Sequence, residues 1–202
     1  MDEEKKKILQ YAFNLFKSEG FYKTTMDDLA KRLRMSKKTI YKHFPTKENL
    51  IRETSFYFID TNQRNIKKIL NERVNAVEKL LKLVKYLGSI LMSIDNQWFE
   101  DIHAHNYEVW KDIDRFRTKM IKTKIAKLFE QGKAEGFFME IPSEIVVSLF
   151  LSMTRAIVNP EFVINNRISL SDALESTIMI LMRGILTGKG EKIFKKLNSK
   201  GN

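Results

Sequence analysis

The stretch SKKTIYKHFPTKENL, residues 36–50, gathers positive charge and hydrogen-bond donors where a short helix should begin. Ser36 can cap that helix, because its hydroxyl accepts from a backbone N–H two or three residues on, and Pro45 pushes Phe44 out of the helical region. Lys37 and Lys38 then occupy the first turn, although a helix N-terminus carries the positive end of the backbone dipole and favours acids. A polyanion would supply the missing negative charge. From 31 to 47 the cations Lys31, Arg32, Arg34, Lys37, Lys38, Lys42 and Lys47 are interrupted by no Asp or Glu, a footprint suited to phosphate. Two helices joined by a tight turn, the second short and basic, describe a helix-turn-helix that inserts the start of its second helix into the DNA major groove.

Other chemistry has less support. The stretch EDIHAHNYE holds His103 and His105 beside Glu100, Asp101 and Glu108, but on a helix residues two apart point to nearly opposite faces, so we expect no metal. No glycine-rich phosphate loop, nucleophile elbow or paired catalytic carboxylates can be recognised, and we expect neither an enzyme nor a cofactor. The chain has no cysteine, which excludes disulfides and thiolate chemistry. The net charge of +11 agrees with a polyanionic partner. The charged amino terminus is unlike a signal peptide and no apolar run is long enough to span a bilayer, so a cytoplasmic protein with no membrane partner is expected.

The elements that must position these residues read as all-α throughout. With 202 residues and only three prolines and eight glycines, apolar positions recur at helical spacing along the chain. A first helix is predicted over Glu3 to Glu19, with Ile8, Ala12, Leu15 and Phe16 inward and Gly20 as its stop. A second begins after Thr25, whose spacing to Asp28 makes a capping box, and turns Leu29, Ala30 and Leu33 inward. The short basic helix completes a trihelical head over residues 1–46. Beyond it, residues 47–202 form a larger helical domain. Its helices are predicted from Thr46 to about Leu70, over 74–94, from Tyr107 to about Glu135, from Ser143 to about Ile164 and from Ser171 to about Leu186. The lysine-rich end after Gly188 reads as loose.

The run GFYKTTMDDLAKRLRMSKKTIYKHFPTKENL resembles the DNA-binding head of TetR-family transcriptional regulators. That family pairs a Gly-aromatic-x-x-Thr-Thr opening with a helix-turn-helix ending in Tyr-x-x-Phe and a Ser/Thr-Lys-Glu. The match covers about the first 50 residues, and spacing, caps and core positions agree over all three helices. Where the family commonly has glycine in the turn this chain has Arg34, so either the turn differs or a left-handed arginine is tolerated and adds a phosphate contact. The resemblance and the chemistry together assign the candidate DNA contacts. Thr25 would offer a hydroxyl and helix-start N–H groups to phosphate; Lys37, Lys38 and Thr39 would face base edges or adjacent phosphates. Tyr41, Lys42 and Lys47 would clamp the backbone. Tyr41 is alternatively partly core, and His43 either touches phosphate or packs beside Phe44.

The resemblance also implies a second domain that senses a small molecule and dimerises. Aromatic and amide residues cluster around both tryptophans, and from this region Phe58, Asn62, Trp98, His103, Tyr107 and Trp110, with Met153, are the expected lining of an effector pocket. The last two apolar stripes lead us to expect a homodimer held by Leu149, Ser152, Ala156, Leu174, Ile178 and Leu181. The expected function is a repressor that binds a near-palindromic operator on double-stranded DNA and is released by a small, mainly apolar effector. The alternative is a DNA-binding protein of the same shape whose second domain binds a protein partner.

Overall fold

A computed structural model describes residues 2–93, 101 and 107–199. The chain divides into two compact units, one of Met1–Arg64 with Ser93–Arg115 and one of Asn65–Met92 with Phe116–Asn202. Among the described residues the regular structure is helical, apart from one isolated antiparallel bridge between Phe138 and Leu186. No helix among them is long and apolar enough to cross a membrane.

In the first unit, α1 (Glu3–Glu19) buries Ile8, Leu9, Ala12, Leu15 and Phe16, the i, i+3, i+4 stripe its sequence carries. Asp2 caps its start, and Gly20 ends it at φ 73°, a left-handed backbone that glycine adopts without a Cβ clash. The turn that follows is pinned by the buried Thr24, whose hydroxyl donates to the Gly20 carbonyl at 2.9 Å. α2 (Met26–Leu33) and α3 (Lys37–His43) complete the trihelical head, with Phe21, Leu29, Ile40 and Phe44 in its core. Phe44 leaves the helix at φ −135°, as the following proline requires. Thr46 then accepts from the Asn49 N–H at 3.1 Å, and α4 runs over Lys47–Asn71. Its Tyr57 hydroxyl accepts from Gln10 at 2.8 Å, and its Phe58 ring stacks on Phe13 at 4.7 Å, so α4 is fastened to α1 by both polar and aromatic contacts.

The second unit is built around α5 (Ala76–Met92) and a core that includes Val77, Leu80, Ile121, Phe129, Phe150, Ile178 and Met182. The predicted long helix after Tyr107 is present as α6 (Tyr107–Met120), a π-helical turn over Ile121–Ile125, and α7 (Ala126–Ala134). Gly132 lets the Phe138 ring lie against the backbone of α7, since a Cβ there would overlap that ring. A buried lysine, Lys79, is satisfied by the Gln131 side chain at 3.0 Å, and Gln131 in turn donates to Glu135, which caps the start of α5 through the Ala76 N–H.

Two element expectations are corrected. The helix from Ser143 stops at Ile157 (α8), because Pro160 cannot continue it; Asn159 caps a separate short helix, α9 (Pro160–Asn166), by accepting from the Phe162 N–H at 2.9 Å. The chain after Gly188 is not loose. It forms α11 (Gly188–Asn198) after α10 (Leu170–Ile185), capped by Thr187 and anchored by the buried Phe194.

Candidate nucleic-acid interface

The head presents two helix starts. At the first, Thr25 caps α2 by accepting from the Asp28 N–H at 3.0 Å while its hydroxyl donates to the Asp28 carboxylate at 2.6 Å. These bonds from the Thr25 side chain and backbone hold the Asp28 carboxyl below the usual carboxylate range. The hydroxyl proton of Thr25 is thereby used inside the protein, which leaves the remaining N–H groups of the first turn as the candidate donors for an anion. At the second start, Ser36 accepts from the Thr39 N–H at 3.0 Å and shares a further hydrogen bond with the Thr39 hydroxyl at 2.9 Å.

The question of the two lysines at a positive helix end is half answered within the chain. Lys37 donates to the Asp27 carboxylate of α2 at 2.5 Å, and this hydrogen bond is the main reason its ammonium sits above the usual lysine range. Lys38, one residue on, is exposed and stands at the same helix end. Other cations of the run are also engaged. Arg32 pairs with Glu19 through two bonds of 2.7 and 3.0 Å, and the half-buried Lys47 donates to the Tyr22 carbonyl at 3.0 Å. Arg34, Lys38 and Lys42 remain exposed, and so is nearly half of Tyr41, at 45%.

Arg34 adopts φ 55° and ψ 40°, the left-handed conformation that closes α2, and its N–H reaches back to the Ala30 and Lys31 carbonyls. Of the two alternatives, then, the turn keeps the glycine-type backbone and arginine occupies it. His43 packs beside Phe44, with ring centroids 6.3 Å apart, and its Nε2 lies 2.8 Å from the Glu4 carboxylate and 3.8 Å from that of Asp2. The three groups form a clasp between the start of α1 and the end of α3. Neither the Asp27–Lys37 pair nor this clasp was visible in the sequence, because each joins residues whose proximity depends on the helix crossing.

The expected effector residues are spread differently. Phe58 is committed to its stack on Phe13, and the buried Asn62 donates its amide to the Phe58 carbonyl at 2.8 Å. Trp110 is half-buried, and Tyr107 is exposed with the Lys111 ammonium 4.6 Å from its ring. These four belong to the first unit and the half-buried Met153 to the second. Trp98 and His103, like His105, lie outside the described residues.

The interface expectation is corrected on α10. Leu174 and Ile178 are 6% and 2% exposed and Leu181 is half-buried, all three packed in the core of their own unit. The exposed residues of that helix are Ser176, Ile180 and Gly184, with Ile180 64% exposed, and beside them the charged Asp172, Glu175 and Arg183. On α8 the expected Leu149, Ser152 and Ala156 do face outward, together with Ile145 and Ser148.

Comparison with known proteins decides the family. The model of the tetR family of bacterial regulatory proteins matches residues 8–54, the whole helix-turn-helix with its flanks. The chain belongs to the TetR family. The HTH-type transcriptional regulator YvaF of Bacillus subtilis (strain 168) is 25% identical over 181 residues, covering 89% of this chain and 94% of that protein. The biofilm operon icaADBC HTH-type negative transcriptional regulator IcaR of Staphylococcus epidermidis is 40% identical over 65 residues, 30% of this chain and 35% of that protein. Among solved structures, a transcriptional regulator from Saccharomonospora viridis in complex with choline superposes with a TM-score of 0.68 at 19% identity, over 93% of this chain and all of that one. This TetR-family chain is accordingly a DNA-binding transcriptional regulator rather than an enzyme.

Proposed function

We propose that the protein is a ligand-responsive repressor that binds a near-palindromic operator as a homodimer and releases it when a small, mainly apolar effector binds. Residues 1–46 are the DNA-binding domain and 47–202 the effector-binding and dimerisation domain. The observation that carries the DNA part is the pair of capped helix starts, at Thr25 and Ser36, in a head whose Arg34, Lys38 and Lys42 are exposed. Thr25, Arg34, Lys37, Lys38, Thr39, Tyr41 and Lys42 are its DNA contacts, with Lys47 and His43 as supports at the edge. Repression is the direction named for IcaR, and choline is the ligand named for the Saccharomonospora viridis regulator.

Homodimerisation rests on the outward apolar residues Ile145, Leu149 and Ile180, each more than half exposed, bordered by the small residues Ser148, Ser152, Ala156, Ser176 and Gly184. Small residues let helices approach closely, and two copies of α8 and α10 about a twofold axis would bury this face as a four-helix bundle. Such a dimer reads half-sites roughly 34–36 Å apart if they lie in successive major grooves.

One observation favours the second reading, in which the effector domain binds a protein partner. The apolar void at the centre of the second unit, lined by residues such as Leu80, Phe129, Phe150 and Met182, measures about 20 Å³. That is room for about one water molecule, against the several hundred Å³ of a typical ligand site. The same unit carries a wider, open cavity of about 570 Å³ lined by residues such as Met179, Arg183 and Phe194, while Phe58, Asn62 and Trp110, the residues expected to meet an effector, belong to the first unit. Selection of bound duplexes from random sequence tests the core of the proposal: an inverted repeat is expected, and a motif without twofold symmetry overturns the dimeric repressor.

A further inference from the structure

Asp27 is an acid at a surface meant for phosphate. It stands in the first turn of α2, beside the candidate anion site at Thr25, and its carboxylate is not needed for capping, since Asp28 already completes the capping box with Thr25. What it does instead is bridge to the first residue of α3. The Asp27 Oδ2 to Lys37 Nζ distance is 2.5 Å, and both side chains are more than half exposed, so the pair faces outward from the head. As a contribution to stability an exposed pair of this kind is worth little. As a device at a DNA surface it has two consequences. An ammonium carries three N–H donors; one goes to Asp27, which fixes where the other two point, and two is the number a bidentate contact to guanine O6 and N7 needs. A lysine whose charge is matched by a neighbouring carboxylate also displaces little counterion when it meets an arbitrary phosphate.

We propose that Asp27 is a specificity-determining positioning residue: it orients Lys37 for a base edge in the operator and restrains it from binding phosphate on any other sequence. The inference rests on the reading of Lys37 as an operator contact. Asp27 itself touches no base, because the first helix of a helix-turn-helix crosses the backbone rather than entering the groove. Its effect is therefore to lower affinity for non-specific DNA while sharpening the operator contact.

The test compares the full-length protein with Asp27→Asn, Lys37→Ala and the double variant, each titrated against the duplex recovered by selection and against a random-sequence duplex over a range of salt. Asp27→Asn keeps the side-chain shape and removes the charge. It is expected to lower the ratio of operator to random affinity about tenfold, the order of one good base contact. On random DNA it should also steepen the slope of log affinity against log salt by about 0.9, one additional phosphate. Neither change should occur when residue 37 is alanine. Asp27→Ala serves as a second variant, with thermal unfolding by circular dichroism confirming that the head is folded. If Lys37→Ala weakens the operator but Asp27→Asn shifts both duplexes equally, or acts identically in the Lys37→Ala background, the role of Asp27 is overturned and that of Lys37 stands. If Lys37→Ala leaves operator affinity untouched, both fall.

Discussion

Arg34 allows the stability and the DNA affinity of the head to be separated with one substitution. Its backbone sits at φ 55° and ψ 40°, where the Cβ of an L-residue crowds the following carbonyl at a cost of roughly 1–2 kcal/mol. Arg34→Gly removes that cost but gives the unfolded chain more freedom, which returns roughly 0.5–1 kcal/mol. The difference is a net stabilisation of about 0.5–1 kcal/mol, or about 1–4 °C in Tm for a chain of this length. Arg34→Ala keeps the crowding, loses the same charge and should show no such gain. If the guanidinium also meets a phosphate, both variants should weaken operator binding together, and the slope of log affinity against log salt should flatten by about 0.9. Thermal unfolding followed by circular dichroism reads the first effect, and fluorescence anisotropy of a labelled operator across a salt series reads the second. A glycine variant no more stable than the alanine variant would refute the strain argument. An unchanged salt slope would refute the phosphate contact while leaving the strain argument intact.

Replacing Lys37 and Lys38 together with alanine should abolish operator-specific binding while the circular dichroism spectrum stays native; retained specificity would remove them from the interface. Leu149→Glu and Ile180→Glu should each yield a folded monomer in sedimentation experiments, whereas Ile178→Glu, placing a charge in the core, should instead unfold the second unit. Gly132→Ala should destabilise by about 1–3 kcal/mol in urea titration, because its Cβ must displace the Phe138 ring. An effector that releases the operator must be weakened by operator DNA by the same factor, and fluorescence titration of Trp98 and Trp110 with and without DNA measures both sides of that balance.

The head was readable because each of its signals is local. A capping oxygen and the N–H it satisfies are three residues apart at both Thr25 and Ser36, Gly20 ends the helix directly before it, and Pro45 acts on the residue it follows. The Asp27–Lys37 pair lies ten residues apart and depends on how α2 and α3 cross, which periodicity does not encode. Pro160 was a readable stop that the apolar residues on either side of it concealed. The last helix was missed for the opposite reason: its lysines read as a solvated tail, although the Thr187 cap, Glu191 in the first turn and the Ile193, Phe194, Leu197 spacing were all present.

α10 shows why the proposed interface is the least legible part. A helix held between its own core and a second copy of the chain needs two apolar faces, and the face that packs tightest carries the larger side chains. Leu174, Ile178, Met182 and Ile185 mark that inner face, and any search for an apolar stripe finds them first. The outer strip Ser176, Ile180 and Gly184 has one large residue between two small ones, and with the exposed Asp172, Glu175 and Arg183 beside it the face resembles ordinary surface. Small residues are what close helix approach requires, so an interface of this type looks weakest in sequence where the backbones would come nearest. On α8 the proposed face is easier to read, because Ile145 and Leu149 are large, exposed and one turn apart, a pattern that solvent alone does not favour. The proposed dimer therefore stands on three exposed side chains from two helices, and a charge at Ile180 is the sharper test of it: Leu149 was already suspected from its stripe, whereas Ile180 becomes a candidate only once Leu174 and Ile178 are known to be spent on the core.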